Sequence, residues 1–336
     1  MTLHIAESQQ YIGRFAPSPS GPLHFGSLVT ALASYLDAKH HRGQWLLRVE
    51  DIDPPREISG AKEMILSSLL AHGLQWDGDI MYQSERSHTY HHYLCQLTPY
   101  TYPCFCNRQR LKPLKGIYDG YCLPTNNTLN SKKSKRPQTA KGSIRLKTDS
   151  LGTLQKHHCE NFQDLFQGAQ HQPLATESGD FIVHRKDDLF AYQLAVVADD
   201  IAQGITHVIR GSDLLSSSAR QRYLWQLFID KQMRDVHTTE TDNNSAKVKG
   251  VALPTYGHLP VATTADGRKL SKQNQATALN DNDAFDNICR ALTFLSHAAP
   301  SDLAARNNIP ALLQWAIGHW DRTTVPRTHA ISVQES

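Results

Sequence analysis

The stretch Tyr11-Ile-Gly-Arg-Phe-Ala-Pro-Ser-Pro-Ser-Gly-Pro-Leu-His-Phe-Gly-Ser27 decides how the chain begins to fold. Tyr11 to Phe15 reads as a short strand. After the loop Ala16 to Leu23, apolar residues recur at Leu28, Ala31, Leu32, Tyr35 and Leu36, the stripe of an amphipathic helix. His40, His41 and Arg42 suit its last turn and Gly43 its end. Trp45 to Val49 supplies a second strand. A strand, a helix and a strand in this order make a βαβ unit, so the fold class is α/β with a parallel sheet and ligands at its carboxyl edge. The prolines stiffen the loop, and Gly21 and Gly26 let backbone approach a ligand closely. A helix N-terminus offers free N–H groups and partial positive charge, which suits phosphate, with His24 placed to donate.

Working outward, helical patterns cover Ser59 to His72 and Ser84 to Leu97. Residues 99–147 read as an insertion that ends in a strand at Ser143 to Leu146. The α/β rhythm resumes with a strand at Phe181 to His184, a helix at Phe190 to Ala198, a strand at His207 to Arg210 and a helix at Ala219 to Ile229. Residues 234–250 are polar and read as a loop. Helical patterns return around Phe285 to Leu295 and Pro310 to Trp315. The implied division is 1–98 and 148–233 for two halves of a catalytic domain, 99–147 for the insertion, 234–250 for the loop and 251–336 for a C-terminal segment.

The 336 residues, 40% hydrophobic and 20% charged, can bury a large core. A net charge of +3 permits a nucleic-acid partner without arguing for one. The 18 histidines are scattered and read mostly as surface residues. The first ten residues lack the pattern of a signal peptide, and no apolar run reaches the ~20 residues that span a bilayer, so a cytoplasmic protein with no membrane partner is expected. Three of the six cysteines, Cys104, Cys106 and Cys122, crowd together, which favours a metal over disulfides in a chain this long. Structural zinc takes four ligands, and Tyr118, Asp119 and Tyr121 are the candidates for the fourth. Residues 107–147 carry eleven Lys or Arg against Asp119 alone, either a footprint for RNA phosphates or a solvated insert.

Arg14 to Ser27 resembles the "HIGH" signature of class I aminoacyl-tRNA synthetases, with Ser27 at the place of the second His. Lys269-Leu-Ser-Lys-Gln273, far downstream, resembles their "KMSKS" loop. Arg48-Val-Glu-Asp-Ile-Asp53 resembles a segment of glutamyl-tRNA synthetases, and Arg14-Phe-Ala-Pro-Ser18 their glutamyl rather than glutaminyl form. The resemblance implies a Rossmann-like catalytic domain that activates L-glutamate with ATP and Mg²⁺. It implies His24 and Lys272 as catalytic residues, and His24, Ser27, Lys269, Ser271 and Lys272 at ATP. It gives Arg14, Phe15, Ala16, Pro17, Ser18, Glu50, Tyr192 and Arg210 to glutamate. The Cys-rich stretch resembles the zinc site of the truncated glutamyl family, implying one structural Zn²⁺ on Cys104, Cys106, Tyr118 and Cys122, with Asp119 as the alternative to Tyr118.

Sixty-four residues follow Lys272, too few for the helical anticodon-binding domain of full glutamyl-tRNA synthetases. Asp53-Pro-Pro-Arg-Glu57, Gly116-Ile-Tyr-Asp-Gly120 and Lys269-Leu-Ser-Lys-Gln-Asn274 resemble instead the glutamyl-queuosine tRNA(Asp) synthetases. That likeness implies a catalytic core with a short helical C-terminal extension and no anticodon-binding domain. It also implies glutamate activation without tRNA, a queuosine-bearing anticodon stem-loop of tRNA(Asp) as acceptor, and a monomer. Two other readings stand beside it: a glutamyl-tRNA synthetase fragment that charges the 3′ end, and a zinc-dependent RNA-binding module without turnover.

Overall fold

The computed structural model describes residues 10–124, 141–238, 252–270, 277–304 and 307–333. The chain begins with β1 (Ile12–Phe15), α1 (Phe25–His40) and β2 (Gln44–Val49), followed by α2 (Ala61–Ala71), β3 (Met81–Tyr82) and α3 (Ser87–Gln96). β1, β2 and β3 are parallel neighbours in that order, with Arg14 in register with Leu46. The βαβ unit is therefore present, and α1 buries Leu28, Ala31, Leu32 and Leu36 completely, with Tyr35 half-buried beside them.

One detail of the α1 to β2 return differs from expectation. Gly43 does not take the left-handed conformation at the helix end; Arg42 does, with φ 54°. Gly43 is needed for room, since a Cβ there would lie 2.4 Å from the carbonyl oxygen of Tyr11. Its N–H still caps the helix by donating to the Ala38 carbonyl at 2.8 Å.

The insertion carries β4 (Thr101–Cys104), α4 (Arg108–Leu111) and β5 (Ser143–Leu146). After it come α5 (Thr153–Glu160), the hairpin β6 (Asn161–Asp164) and β7 (Gly168–His171), α6 (Leu174–Glu177) and β8 (Phe181–His184). β5 lies between β4 and β8 in one antiparallel sheet, so the Cys-rich segment is joined to the chain beyond it.

Next come α7 (Tyr192–Ala202), β9 (His207–Gly211) and α8 (Ser218–Thr238). α7 starts two residues later than expected and runs four further, because Ala191 holds an extended backbone as its cap. α8 continues through Thr238, so the first residues of the expected 234–250 loop are helical; residues 239–250 lie outside the described ones. β10 (Thr255–Leu259) pairs in parallel with β9, and β9 follows the free side of β1, where the Thr206 N–H donates to the Ile12 carbonyl at 2.9 Å. The strands thus run β3, β2, β1, β9, β10 in space, the doubly wound order whose reversal beside β1 opens a ligand crevice.

β11 (Val261–Thr263), α9 (Ala284–Phe294), α10 (Ser301–Ala304), α11 (Ile309–Gly318) and β12 (Ala330–Ser332) complete the chain. α9 and α11 pack onto α1 through Ile288, Leu292, Leu312 and Ala316. β12 pairs in parallel with β11. Asp37 of α1 fixes this return, accepting from Tyr11, from Trp320 Nε1 at 2.8 Å and from Arg322 Nε at 2.6 Å. No described helix is long and apolar enough to cross a membrane.

Gly43→Ala is expected to destabilise the protein by about 1–3 kcal/mol, the usual cost of overpacking. A urea melt that matches the wild type would show that the Tyr11 backbone yields freely.

Candidate active site and metal knot

The loop between β1 and α1 closes on itself before meeting any ligand. His24 is the N-cap of α1: its Nδ1 accepts from the Ser27 N–H at 3.4 Å, and Ser27 Oγ accepts from the His24 N–H at 2.8 Å. This reciprocal cap explains how serine can stand where the signature has a second histidine. Gly21 has φ 135°, which a side chain resists. At Gly26 a Cβ would come within 3.2 Å of the His24 ring and 3.6 Å of the Leu270 carbonyl.

That last neighbour matters, because Leu270 belongs to the second motif. Beyond that motif, Ala278 bridges to His24, and the Leu279 N–H donates to the Leu23 carbonyl at 2.9 Å. The two motifs expected to share a ligand therefore flank one crevice. Lys269 lines it and donates to Asp213 Oδ2 at 2.6 Å. Ser271 and Lys272 lie outside the described residues.

The crevice has a volume of about 730 Å³ and runs from His24, Gly26 and Ser27 to Arg14, Glu50, Tyr192 and Arg210. Phe15, Ala16, Pro17 and Ser18 line it too, in a segment tied to the chain after β2 by the Glu50 N–H donating to the Pro17 carbonyl at 2.9 Å. The Phe15 ring itself points inward and stacks on Trp45 at 6.2 Å. A smaller cavity of about 300 Å³ shares Ser18, Glu50, Arg56 and Tyr192 and continues past Asp53, Glu57 and Arg185.

Beneath Glu50 is a charged cluster whose acidic members Asp199 and Asp200 no motif marked. Asp200 Oδ1 accepts from Arg14 Nε at 3.1 Å and from the Arg48 guanidinium at 2.8 Å. Arg48 also reaches Glu50 Oε1 at 3.5 Å and Asp199 Oδ2 at 4.0 Å. Asp199 in turn holds Gln83, Arg86 and Tyr90. Burial raises the Glu50 carboxyl above the ordinary range, and the attraction of Arg48 and Arg14 only partly offsets it. Burial alone would push Asp200 up as well, but Arg14 and Arg48 prevail and hold it low. Burial also raises the Tyr192 phenol, against the pull of Arg210, so it stays a hydroxyl donor at neutral pH.

Arg210, at the end of β9, is held by residues no motif marked. Its Nε donates to His258 Nε2 at 2.9 Å, one terminal nitrogen to Gln221 Oε1 at 2.7 Å, and the other to Ser218 Oγ at 3.0 Å and the Leu214 carbonyl at 3.2 Å. His258 is wholly buried, unlike the surface histidines the composition suggested, and burial holds it down at about 4 despite Asp164 beside it.

In the Cys-rich segment the sulfurs of Cys104, Cys106 and Cys122 lie within 4.8 Å of one another. The Tyr118 hydroxyl is 3.4 Å from Cys104 Sγ and 3.7 Å from Cys106 Sγ, and Cys106 and Cys122 are 3.6 Å apart. Ligands ~2.3 Å from a tetrahedral zinc stand roughly 3.8 Å from each other, so this donor set fits such an ion. The Asp119 carboxylate is turned to Arg110 at 2.6 Å. The Arg145 guanidinium lies 3.7 Å over the Tyr118 ring, and the Cys122 N–H donates to the phenol oxygen at 2.9 Å. Burial and neighbouring thiols push Cys106 up to about 11, and a dication held among the sulfurs would reverse that.

A doubly wound sheet with a capped phosphate-type loop and a lysine-bearing segment across the same crevice defines a class I aminoacyl-tRNA synthetase catalytic domain. The chain belongs to the family described as "tRNA synthetases class I (E and Q), catalytic domain", which matches residues 12–249, and it is a ligase. It is 45% identical over 332 residues to a Glutamyl-Q tRNA(Asp) synthetase of Colwellia psychrerythraea, covering 96% of this chain and 95% of that one. The relative of the same name from Serratia proteamaculans is 43% identical, with 98% and 97% covered. Among solved structures, a glutamate-tRNA synthetase from Elizabethkingia anophelis superposes with a TM-score of 0.69 at 23% identity, covering 97% of this chain and 68% of that one, a likeness of fold.

The charge cluster makes two opposite expectations. Asp200→Ala leaves Arg14 and Arg48 short of a buried partner and costs about 3–5 kcal/mol. Glu50→Gln removes a carboxylate that burial disfavours and raises the urea midpoint at pH 7. A fall for both variants would refute this account of Glu50.

Proposed function

We propose that the protein activates L-glutamate with ATP, without tRNA, and transfers it to queuosine at the wobble position of tRNA(Asp). The observation that carries the reading is the convergence of the two motifs and the Arg14, Glu50, Tyr192 and Arg210 group on one crevice. Glu50 would take the ammonium of glutamate, and Arg14 and Arg210, with the Tyr192 hydroxyl, would face its carboxylates. The α-carboxylate attacks the α-phosphorus of ATP and pyrophosphate leaves. No base is needed, because the nucleophile is already ionised. His24 and the first turn of α1 would stabilise charge on one side of the phosphates, with Lys269, Ser271 and Lys272 on the other. Mg²⁺ arrives with ATP and neutralises phosphate charge.

The second step joins a hydroxyl of the cyclopentenediol to the glutamyl carbonyl carbon. The bond to phosphate breaks, AMP leaves, and the hydroxyl proton goes with it. The name that the relatives carry, matched over nearly their whole length, supports this acceptor. An unstacked wobble base can be splayed into a pocket, and the smaller cavity beside Glu50 and Tyr192 is open to receive it. Cys104, Cys106, Tyr118 and Cys122 would hold one zinc ion, which ties β4 to the loop carrying Tyr118; the basic residues Arg108 to Lys147 would meet backbone phosphates.

Glutamate-dependent ATP–pyrophosphate exchange is expected without tRNA, and Lys272→Ala should slow it ~10²–10³-fold. Labelled glutamate should then pass to an isolated queuosine-bearing hairpin of tRNA(Asp), and periodate cleavage of the diol should abolish labelling. Label on the 3′ end of tRNA(Glu) instead would make this a translation enzyme. Native mass spectrometry should find one zinc, lost in Cys104→Ser together with protease resistance of residues 99–123.

A further inference from the structure

Arg210 carries five N–H donors, and four are engaged within the protein, by His258, Gln221, Ser218 and Leu214. Among the described residues, one donor on the terminal nitrogen beside Gln221 is left for a ligand, so the direction of the whole guanidinium depends on its anchors. The Nε anchor is the most demanding. A guanidinium only donates, so His258 Nε2 must be unprotonated and accept. The ring proton then sits on Nδ1, where it donates to Asp164 Oδ2 at 2.5 Å. Ser218 Oγ, 3.2 Å from the same Nε2, can donate to it as well.

Asp164 is itself fixed. Its Oδ1 accepts from the backbone N–H groups of Phe166, Gln167 and His258 at 3.0, 2.9 and 3.0 Å. His258 and Arg210 are register partners on β10 and β9, and all three side chains are buried. We propose that Asp164, through His258, is a positioning device for Arg210: it sets the histidine tautomer and thereby aims the remaining guanidinium donor at the carboxylate of the substrate. This rests on the reading of Arg210 as a glutamate residue given above.

A nearly isosteric change at Asp164 should therefore disturb Arg210. In Asp164→Asn the oxygen must stay at the Oδ1 place to satisfy three N–H groups, so the amide NH₂ faces His258 Nδ1. The histidine must then accept there and carry its proton on Nε2, opposed to the Arg210 Nε–H. An opposed buried donor costs enough to raise the KM for glutamate about tenfold or more in pyrophosphate exchange, with the KM for ATP within about twofold. His258→Gln presents an amide oxygen to Arg210 whatever stands at 164. The double variant Asp164→Asn/His258→Gln should therefore recover glutamate KM relative to Asp164→Asn alone. His258→Leu, which offers no acceptor, should raise glutamate KM like Asp164→Asn and gives the same reading if Asp164→Asn folds poorly. Nitrogen-15 NMR should find the Nδ1–H tautomer of His258 in the wild type and the Nε2–H tautomer in Asp164→Asn.

A double variant no better than Asp164→Asn, an equal rise in both KM values, or an unchanged tautomer would overturn the proposal. If the wild type shows no glutamate-dependent exchange, the functional reading fails instead, and the tautomer measurement still decides the relay.

Discussion

Two arginines and three carboxylates, nearly all shielded from water, meet where β1 and β2 end against the last turn of α7. Arg14 comes from the first strand, Arg48 and Glu50 from the second, and Asp199 and Asp200 from the helix. Each of these charges alone would be expensive to bury, and together they are tolerable only in one arrangement. The strand ends, the loop from Ala16 to Leu23 and the helix are thereby locked in mutual position. Everything around the crevice inherits that geometry. The loop hangs from Glu50 through the Pro17 carbonyl, and burial raises the Glu50 carboxyl, so the protein does not need this group for its own stability.

The parts of the fold that could be read in the sequence are those whose cause is local. α1 announces itself by its apolar stripe, and the flanking strands by their position around it. β10 does not, because Thr-Tyr-Gly-His-Leu has neither alternation nor length, and only the parallel pairing with β9 makes it a strand. β12 is hidden for the same reason, since its partner β11 lies far upstream. The glycine at the end of α1 was legible as a boundary, but its reason was the Tyr11 backbone, which local rules do not see.

The candidate site divides along the same line. The phosphate-type loop, the three thiols and the downstream lysines have compact signatures, and resemblance carries Tyr118, Tyr192 and Arg210. Asp199 and Asp200 had a signal that went unused: acidic residues sit badly in the last turn of a helix, where the dipole repels them, and two in a row ask for distant cations. Asp164 and His258 gave no such signal. Their meaning exists only because a hairpin turn and a parallel strand, 94 residues apart, close around the same arginine.

The pairing of β12 with β11 has a bearing on how the molecule is made. On a ribosome the chain emerges from its N-terminus at roughly 5–20 residues each second, so β11 leaves the tunnel several seconds before its partner exists. Until then its hydrogen-bonding edge is open to any other strand, nascent or foreign. The same delay holds Ser212 and Val261 back, since both donate to the carbonyl of His329, just ahead of β12. The lysine-bearing segment next to β11 is thus completed late in synthesis. A nascent chain would have its nucleotide-type crevice half assembled before the sheet that borders it could close.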